Sequence, residues 1–223
     1  MAITIGSANP AMVYAEATSI ANAAATPGAS DSLLVACVAV DDTSEGDITG
    51  ISDDQTNSWV QGDDYLVGTQ RVRLYYALAP VNAATVVTVT FGTATDAYLK
   101  VFSLLGTVTT SPIGTTAKST ATGTAGTTSI TPGITTSGII VWIIEQVNNS
   151  VYTALGAGQV DQGQIATGGA EKSSALVTTE IYTAAPGAQS ATISKSATWI
   201  AMAVEIKAEF VAGFAHSQGI IVG

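Results

Sequence analysis

The chain has 223 residues, of which 47% are apolar and only 11% are charged, and 17 acidic against seven basic residues leave a formal net charge of −10. Proteins that bind nucleic acid need a basic surface that displaces counterions from the phosphates, so this composition excludes that class. Alanine, threonine and glycine are abundant, and a surface of such small side chains loses little side-chain entropy when another molecule covers it.

The N-terminal part of the chain predicts a buried strand and no targeting segment. Residues 1–6 contain neither a basic nor an apolar stretch, so we expect no signal peptide and synthesis in a cytoplasm. The run from Leu33 to Val40 is apolar at every position, which is typical of a central strand covered on both faces. Cys37, the only cysteine, lies in this run, cannot form an internal disulfide, and is interpreted as a small buried hydrophobic residue.

Acidic residues concentrate just after this strand, with eight of the 17 between positions 41 and 64. Asp41, Asp42, Glu45 and Asp47 form an oxygen-rich segment, which makes them a weak candidate site for calcium, a cation that prefers about six to eight oxygen ligands. Their spacing does not match the EF-hand pattern, and solvated turns between strands are the favoured interpretation. We therefore assign no metal.

Two aromatic residues, Trp59 and Tyr65, lie close in sequence to Asp63 and Asp64. Sugar-binding surfaces combine aromatic rings, which stack on the C–H groups of a sugar, with polar side chains that bind its hydroxyl groups. These four residues are therefore a candidate glycan-binding site. The favoured alternative is that Trp59 belongs to a strand and faces the core.

Further strands are predicted by strict alternation, and no segment shows a convincing helical period. In residues 71–76 the only two arginines of the chain face one side and apolar residues face the other, and residues 85–91 alternate in the same way. Residues 139–144 are apolar throughout, which predicts a second central strand. This run is far shorter than the ~20 residues that span a bilayer, so we expect no membrane insertion. Residues 198–207 alternate again and predict a closing strand.

The second half of the chain repeats the first. The matching segments are residues 18–35 with 128–141, 76–80 with 182–186, 84–91 with 189–195, and 97–105 with 197–206. The half-repeats thus span about 12–106 and 128–208, and the Thr/Gly/Ser-rich segment 107–137 joins them as a crossover or loop outside the strands. Because each half offers apolar faces that need a partner sheet, we predict one all-β domain over residues 1–208, a jelly-roll-like antiparallel β-sandwich built from two related halves. Two tandem small sandwiches are the alternative.

Catalytic constellations have little support in the sequence. The only histidine, His216, lies in the C-terminal tail, so a triad would need the tail to fold back, and a site with several histidines is impossible. Glu145, Glu180 and Glu205 are strand-borne carboxylates that could in principle hydrolyse a glycoside, but nothing in the sequence pairs them on one face. We therefore expect no enzymatic activity and no cofactor.

The C-terminal tail, residues 209–223, carries large apolar side chains after the last predicted strand: Phe210, Val211, Phe214, Ile220 and Ile221. A free tail of this kind would promote aggregation. We therefore predict that these side chains contact either their own domain or a partner subunit.

A common strand pattern is found at residues 33–35, 72–77, 88–91, 102–106, 156–159 and 199–207. Over residues 12–208 this pattern resembles a loose group of jelly-roll-like β-sandwich proteins and modules from tailed bacteriophages, prophages and environmental bacteria. The resemblance rests on strand pattern, and it provides no catalytic residues. It implies virion structural roles: head decoration (cement) proteins, head fibres, or tail-associated adhesion modules.

The leading hypothesis is a capsid decoration protein that stabilises the outer surface of a phage head, because the negative charge would repel packaged nucleic acid. The expected partners are the major capsid protein or other virion proteins, together with further copies of the chain in a homo-oligomer, for which a trimer is one candidate. The alternative is a receptor- or glycan-binding module of a phage fibre or tail, with Trp59 at its distal tip. A third hypothesis, a carbohydrate-active enzyme, requires two carboxylates about 5–9.5 Å apart in a cleft.

Overall fold

The computed structural model describes residues 3–41, 48–133, 137–166 and 173–209, which form two antiparallel β-sheets. The first sheet contains β1 (Thr4–Ile5), β2 (Val13–Ala21), β3 (Leu33–Asp41), β4 (Ile48–Asp53), β5 (Trp59–Val67), β6 (Gln70–Leu78) and β7 (Val87–Leu105). The second contains β8 (Ile113–Thr128), β9 (Gly138–Gln146), β10 (Tyr152–Thr153), β11 (Val160–Ala166), β12 (Ser174–Tyr182) and β13 (Gln189–Lys207). None of the residues in these ranges belongs to a helix that is long and apolar enough to cross a membrane.

The two sheets have the same topology. The strand order is β7-β3-β6-β5 in the first sheet and β13-β9-β12-β11 in the second. In addition β2 and β4 pair with β7, just as β8 and β10 pair with β13. The long strands β7 and β13 both contain 19 residues and have almost the same sequence of buried and exposed positions. The predicted β-sandwich built from two related halves is therefore confirmed.

The sheets pack on each other through one shared apolar layer, the inner core. Because side chains alternate across a strand, every second residue of the central strands enters this layer. Its members include Leu33, Val35, Cys37, Leu74, Tyr98 and Phe102 from the first sheet, and Ile139, Val141, Ile143, Val177, Met202 and Val204 from the second. Aligned packing of two twisted sheets over such a layer defines a β-sandwich.

Each sheet also covers its own outer face. The first half of β7, with β2 and β4, supplies residues that pack over β3 in a first outer core, which includes Leu34, Val38, Val87 and Val89. A second outer core, which includes Ile140, Trp142, Ile193 and Trp199, covers β9 in the same way. As the sequence predicts, β9 is buried along its whole length and β3 at every residue from Leu33 to Val40. Cys37 is fully buried, which confirms its interpretation as a core residue.

The crossover segment contains a strand that the sequence analysis placed outside the strands. β8 occupies 16 residues of it and pairs with β13 from Gln189–Thr128 to Ile206–Ile113. Most of its side chains are exposed or half-buried threonine, serine, alanine and glycine. Such a strand has no apolar period because its backbone hydrogen bonds, rather than an apolar face, attach it to the sheet. β8 takes the position in the second half that β2 has in the first.

The two ends of the sandwich are chemically distinct. We call the end at which β3 and β9 begin and β7 and β13 finish the lower end, and the opposite end the upper end. At the upper end, Gln70 of the first sheet donates a hydrogen bond to Glu145 of the second. At the lower end, Thr107 and Ala208 form a β-bridge. Corresponding ends of the two sheets therefore lie together.

Candidate functional site

The tryptophan of the predicted glycan site is attached to a turn of its own sheet. Trp59 begins β5, is half-buried, and packs against the first outer core. Its Nε1 donates to Asp53 Oδ2 at 2.7 Å. The same carboxylate accepts from the backbone N–H groups of Gln55 and Asn57, at 2.9 and 3.1 Å, and from the Asn57 side-chain amide at 3.1 Å. Asp53 therefore joins the β4–β5 turn to the indole.

Asp64 binds both arginines of the chain. Its Oδ1 accepts from the Nε atoms of Arg71 and Arg73, each at 2.9 Å, and its Oδ2 accepts a second hydrogen bond from each guanidinium at 3.1 Å. Arg73 also donates to the Tyr75 hydroxyl at 2.8 Å. Burial would raise the pKa of the Asp64 carboxyl, but the hydrogen bonds from Arg73 and Arg71 outweigh burial and lower it. This group stays ionised and is occupied within the chain.

Asp63 joins the two sheets. Its Oδ1 lies 3.0 Å from the Nζ atom of Lys118 on β8, and that ammonium group also lies 5.9 Å from the centre of the Tyr65 ring. Burial would raise the pKa of Asp63, but hydrogen bonds from Thr116, from the backbone of Asp64 and from Lys118 lower it. The lysine that the sequence places alone in the crossover thus pairs with a residue 55 positions away.

The two aromatic residues of the candidate site lie on opposite faces of their sheet. Trp59 pairs with Ala77 and faces the first outer core, whereas Tyr65 pairs with Val72 and packs against the inner core. A spacing of six residues would put both on one face, but an irregularity at Gly62 shifts the register by one residue. One sugar ring therefore cannot stack on both rings. Glycan binding by these residues stays a prediction.

Three carboxyl groups converge on the inner space at the upper end. Asp41 of β3 and Asp96 of β7 are direct register partners. Each lies two residues from an inner-core residue on its strand, so both are on the inner face. Glu145 is on the inner face of the facing strand β9, two residues after Ile143. The Tyr14 hydroxyl donates to Asp96 Oδ1 at 2.5 Å.

Glu145 is the most deeply buried of these carboxyl groups. It has no exposed surface, and its Oε2 accepts from Gln70 Nε2 of the other sheet at 2.5 Å. Its Oε1 has no hydrogen-bond partner within the described ranges. Burial raises the pKa of Glu145 well above its ordinary value, and the nearby charges of Asp41 and Asp96 raise it further, against the smaller effect of the Gln70 hydrogen bond. The neutral, protonated form of this carboxyl group is therefore favoured more than it is for an exposed glutamate.

This cluster was not identified from the sequence. Of the calcium candidates, Asp41 belongs to it, while Asp42, Glu45 and Asp47 lie outside the described residues. Within the part of the chain that the structure describes, no three acidic, cysteine or histidine side chains are arranged to hold a metal ion. The one available signal was Glu145 itself, an acidic residue that directly follows the apolar run 139–144.

The other two strand-borne carboxylates bind loops of their own half. Glu205 accepts hydrogen bonds from the Tyr182 hydroxyl at 2.6 Å and from the backbone N–H groups of Thr115 and Gly133 at 2.7 and 3.0 Å. Glu180 accepts from the Gly187 N–H group at 3.1 Å and from the Gln189 amide at 2.5 Å. Both carboxylates are buried and are used to hold β8 and the β12–β13 loop in place.

The register brings Glu180 and Glu205 onto one face, which the sequence did not indicate. Both pair with Ile140, one from each side, so they flank this residue at the distance of two strand spacings, about 9.6 Å between Cα atoms. Glu145 is on the opposite face of β9. All three carboxyl groups make hydrogen bonds within the chain.

The predicted partner-contact residues Phe210, Val211, Phe214, Ile220 and Ile221 lie outside the described residues. The chain can be followed to Glu209 at the lower end, where its N–H group donates to the Gly106 carbonyl oxygen at 2.7 Å. In comparisons with known proteins, no family model matches this chain, and the searches of curated proteins and of solved structures found no match. Function is therefore argued from the chain itself.

Proposed function

We propose that this protein is a structural subunit of a phage virion, and specifically a decoration protein on the outer surface of the head. The observation that carries the proposal is the exposed surface of β8. This strand presents 16 residues of which only Lys118 is charged, and the others are mainly threonine, serine, alanine and glycine. Interface centres are depleted in charged residues, and small side chains lose little entropy on contact.

The proposed role is consistent with the way the chain covers its apolar residues. Each half covers both faces of its central strand, so the subunit has three apolar layers and a rigid frame. A subunit with few charged residues on its exposed strand β8 is suited to ordered packing. Once many copies bind one shell, each contact restrains its neighbours, and weak single contacts add up through avidity.

The charge of the chain favours the outer surface of the shell. A net charge of −10 repels packaged nucleic acid. A location on the outside of the shell keeps the chain away from that nucleic acid. The subunits would then bridge neighbouring capsomers and increase the work needed to break a pressurised shell. The expected partners are the major capsid protein and further copies of this chain.

Immunogold labelling tests the location directly. Antibodies against the purified chain would be applied to intact particles from the source of the sequence, and the label would be located by electron microscopy. The proposal expects label over the head surface. Label confined to fibres or the tail tip would overturn it in favour of a receptor-binding module, and absence of the chain from purified particles would overturn a virion role.

The C-terminal residues provide a second test. Particles assembled with a chain that ends at residue 208 would carry fewer copies per head than particles with the full chain, as measured by quantitative mass spectrometry. Equal copy numbers would contradict the predicted role of the tail in attachment.

A further inference from the structure

Two equivalent pairs of apolar side chains are exposed at the lower end. Leu78 is the last residue of β6, and Val60 lies diagonally opposite on β5, where it pairs with Tyr76. In the second half, Ile181 near the end of β12 lies diagonally opposite Val160 of β11. We call these the apolar pairs. Their exposed fractions range from 37% for Leu78 to 57% for Val160.

The apolar pairs extend the inner core beyond the region where the sheets cover each other. Leu78 is in register with Leu33, and Ile181 is in register with Ile139, and both partners belong to the inner core. By alternation the pairs therefore face the same layer. They are exposed because they lie on the outermost two strands of each sheet, at its end.

Most of the loops around the apolar pairs carry no charge. Four of them contain no Asp, Glu, Lys or Arg: residues 79–86, 106–112, 154–159 and 183–188. The exceptions are the β4–β5 turn, in which Asp54 accepts a hydrogen bond from the Val86 N–H group, and Glu209 beside Gly106. Asp31, in a neighbouring loop, is buried and accepts from the Gly28 N–H group at 2.8 Å. Two copies that each carry a charge of −10 repel each other less where the ends that meet carry few charges.

The C-terminal segment leaves the sandwich at this same end. Ala208 is part of the inner core, and Glu209 is hydrogen-bonded to Gly106. The 14 residues from 210 to 223 contain no Asp, Glu, Lys or Arg. A segment of this length can reach up to ~50 Å. The point from which this apolar segment continues therefore lies at the same end as the apolar pairs, which makes that end complementary to a second copy of itself.

We propose that the lower end is a self-association surface, on which the C-terminal segment of one copy packs against the apolar pairs of another. This proposal rests on the proposed function only in assuming that the protein acts as part of an assembly. The partner is a second copy of the same chain. The mass of the oligomer, measured by sedimentation equilibrium, gives the number of copies that it contains.

Charge substitutions at the two ends of the sandwich test the surface. Sedimentation equilibrium of the full chain should show an oligomer, and Leu78→Lys with Ile181→Lys should raise the dissociation constant ~10-fold or more, because each lysine would lose hydration in the contact. The matched control is Val147→Lys with Val151→Lys, which changes two valines of similar exposure at the upper end. It should leave the oligomer intact. A monomeric wild type, or equal dissociation of both variants, would overturn the proposal.

Cysteine cross-linking identifies the occupant. Cys37 is buried and burial raises the pKa of its thiol, so introduced cysteines react without interference. Copies with Ile181→Cys are mixed with differently tagged copies that carry Phe214→Cys. With oxidised glutathione as the oxidant, a mixed disulfide between the two tagged chains is expected. No cross-link in this mixture, together with an intrachain disulfide when one chain carries both substitutions, would overturn the proposal in favour of docking within one copy.

The two proposals can fail separately. Sedimentation and cross-linking use only purified protein, whereas immunogold labelling uses particles. An oligomer joined through the lower end in a protein that does not label heads would refute the decoration role alone. A head-labelling protein that is monomeric in solution would refute self-association alone.

Discussion

Replacing Glu145 by glutamine should remove a decrease in the free energy of unfolding that the wild type shows as the pH rises. In the folded protein this carboxyl is fully buried between the sheets and its pKa is raised, chiefly by burial. In the unfolded chain it titrates near the ordinary glutamate value of about 4.3. The folded state therefore binds one more proton than the unfolded state at every pH between these two values. Glutamine keeps the shape and the hydrogen-bonding position beside Gln70, but it does not titrate.

The sign and size of the effect follow from that single proton. A group whose pKa is raised by folding contributes stability that is complete below its unfolded pKa and is lost as the pH rises through the folded pKa. For one proton, the free energy of unfolding falls by about 1.36 kcal/mol per pH unit within this window. The free energy of unfolding of Glu145→Gln minus that of the wild type should therefore increase by about 1.36 kcal/mol per pH unit above about pH 4.3. The difference should become constant above the pKa of Glu145 in the folded protein.

Urea unfolding followed by circular dichroism measures this difference from pH 4 to pH 8. A suitable control is Glu16→Gln, which removes a carboxyl group at an exposed position of β2. The difference between this control and the wild type gives the baseline for the loss of one exposed carboxyl group, against which the slope of Glu145→Gln is compared. If the difference between Glu145→Gln and the wild type is the same at every pH, Glu145 is ionised in the folded state and the reasoning is wrong.

Three further predictions concern stability. Phe102→Ala should lower the free energy of unfolding by about 3–5 kcal/mol in urea titrations, because Phe102 is fully buried in the inner core; a loss below 1 kcal/mol would contradict its role there. Trp59→Phe should cost about 1.5–3 kcal/mol through the lost hydrogen bond to Asp53, and a glycan array should register no change if the indole is structural. The free energy of unfolding of Lys100→Met minus that of the wild type should decrease as the pH rises toward the ordinary lysine pKa, because burial lowers the pKa of this lysine, which is only 2% exposed and donates to the Pro10 carbonyl oxygen; a difference that does not change with pH would refute this account.

The central strands could be predicted because their signal is local. Leu33–Val40 and residues 139–144 are apolar on both faces, and the structure covers both faces of each strand, first by the inner core and then by an outer core. The pattern in residues 71–76 was equally reliable, since Val72 and Leu74 enter the inner core while Arg73 faces Asp64 on the other side. An alternating pattern predicts a strand with one buried face, and a continuous apolar run predicts a strand that is buried on both faces.

The candidate glycan site shows why side-chain clusters are harder to predict. Trp59 and Tyr65 are six residues apart and would share a face on a regular strand, but the irregularity at Gly62 inverts that relation. β8 was missed for a related reason, because its small side chains carry no period and only its pairing with β13 makes it a strand. Neither a register shift nor a strand partner is encoded in a short window of sequence.

The sequence by itself determined the all-β class, the duplication and the identity of the two central strands, because these depend on side-chain alternation within each segment. Only the tertiary structure decided which distant groups meet. Asp41, Asp96 and Glu145 are separated by about fifty residues each, yet cross-strand register and sheet packing bring them to one end of the inner core, and Asp63 meets Lys118 in the same way. Such contacts depend on how whole sheets align and pack, which is a property of the assembled chain rather than of any one segment.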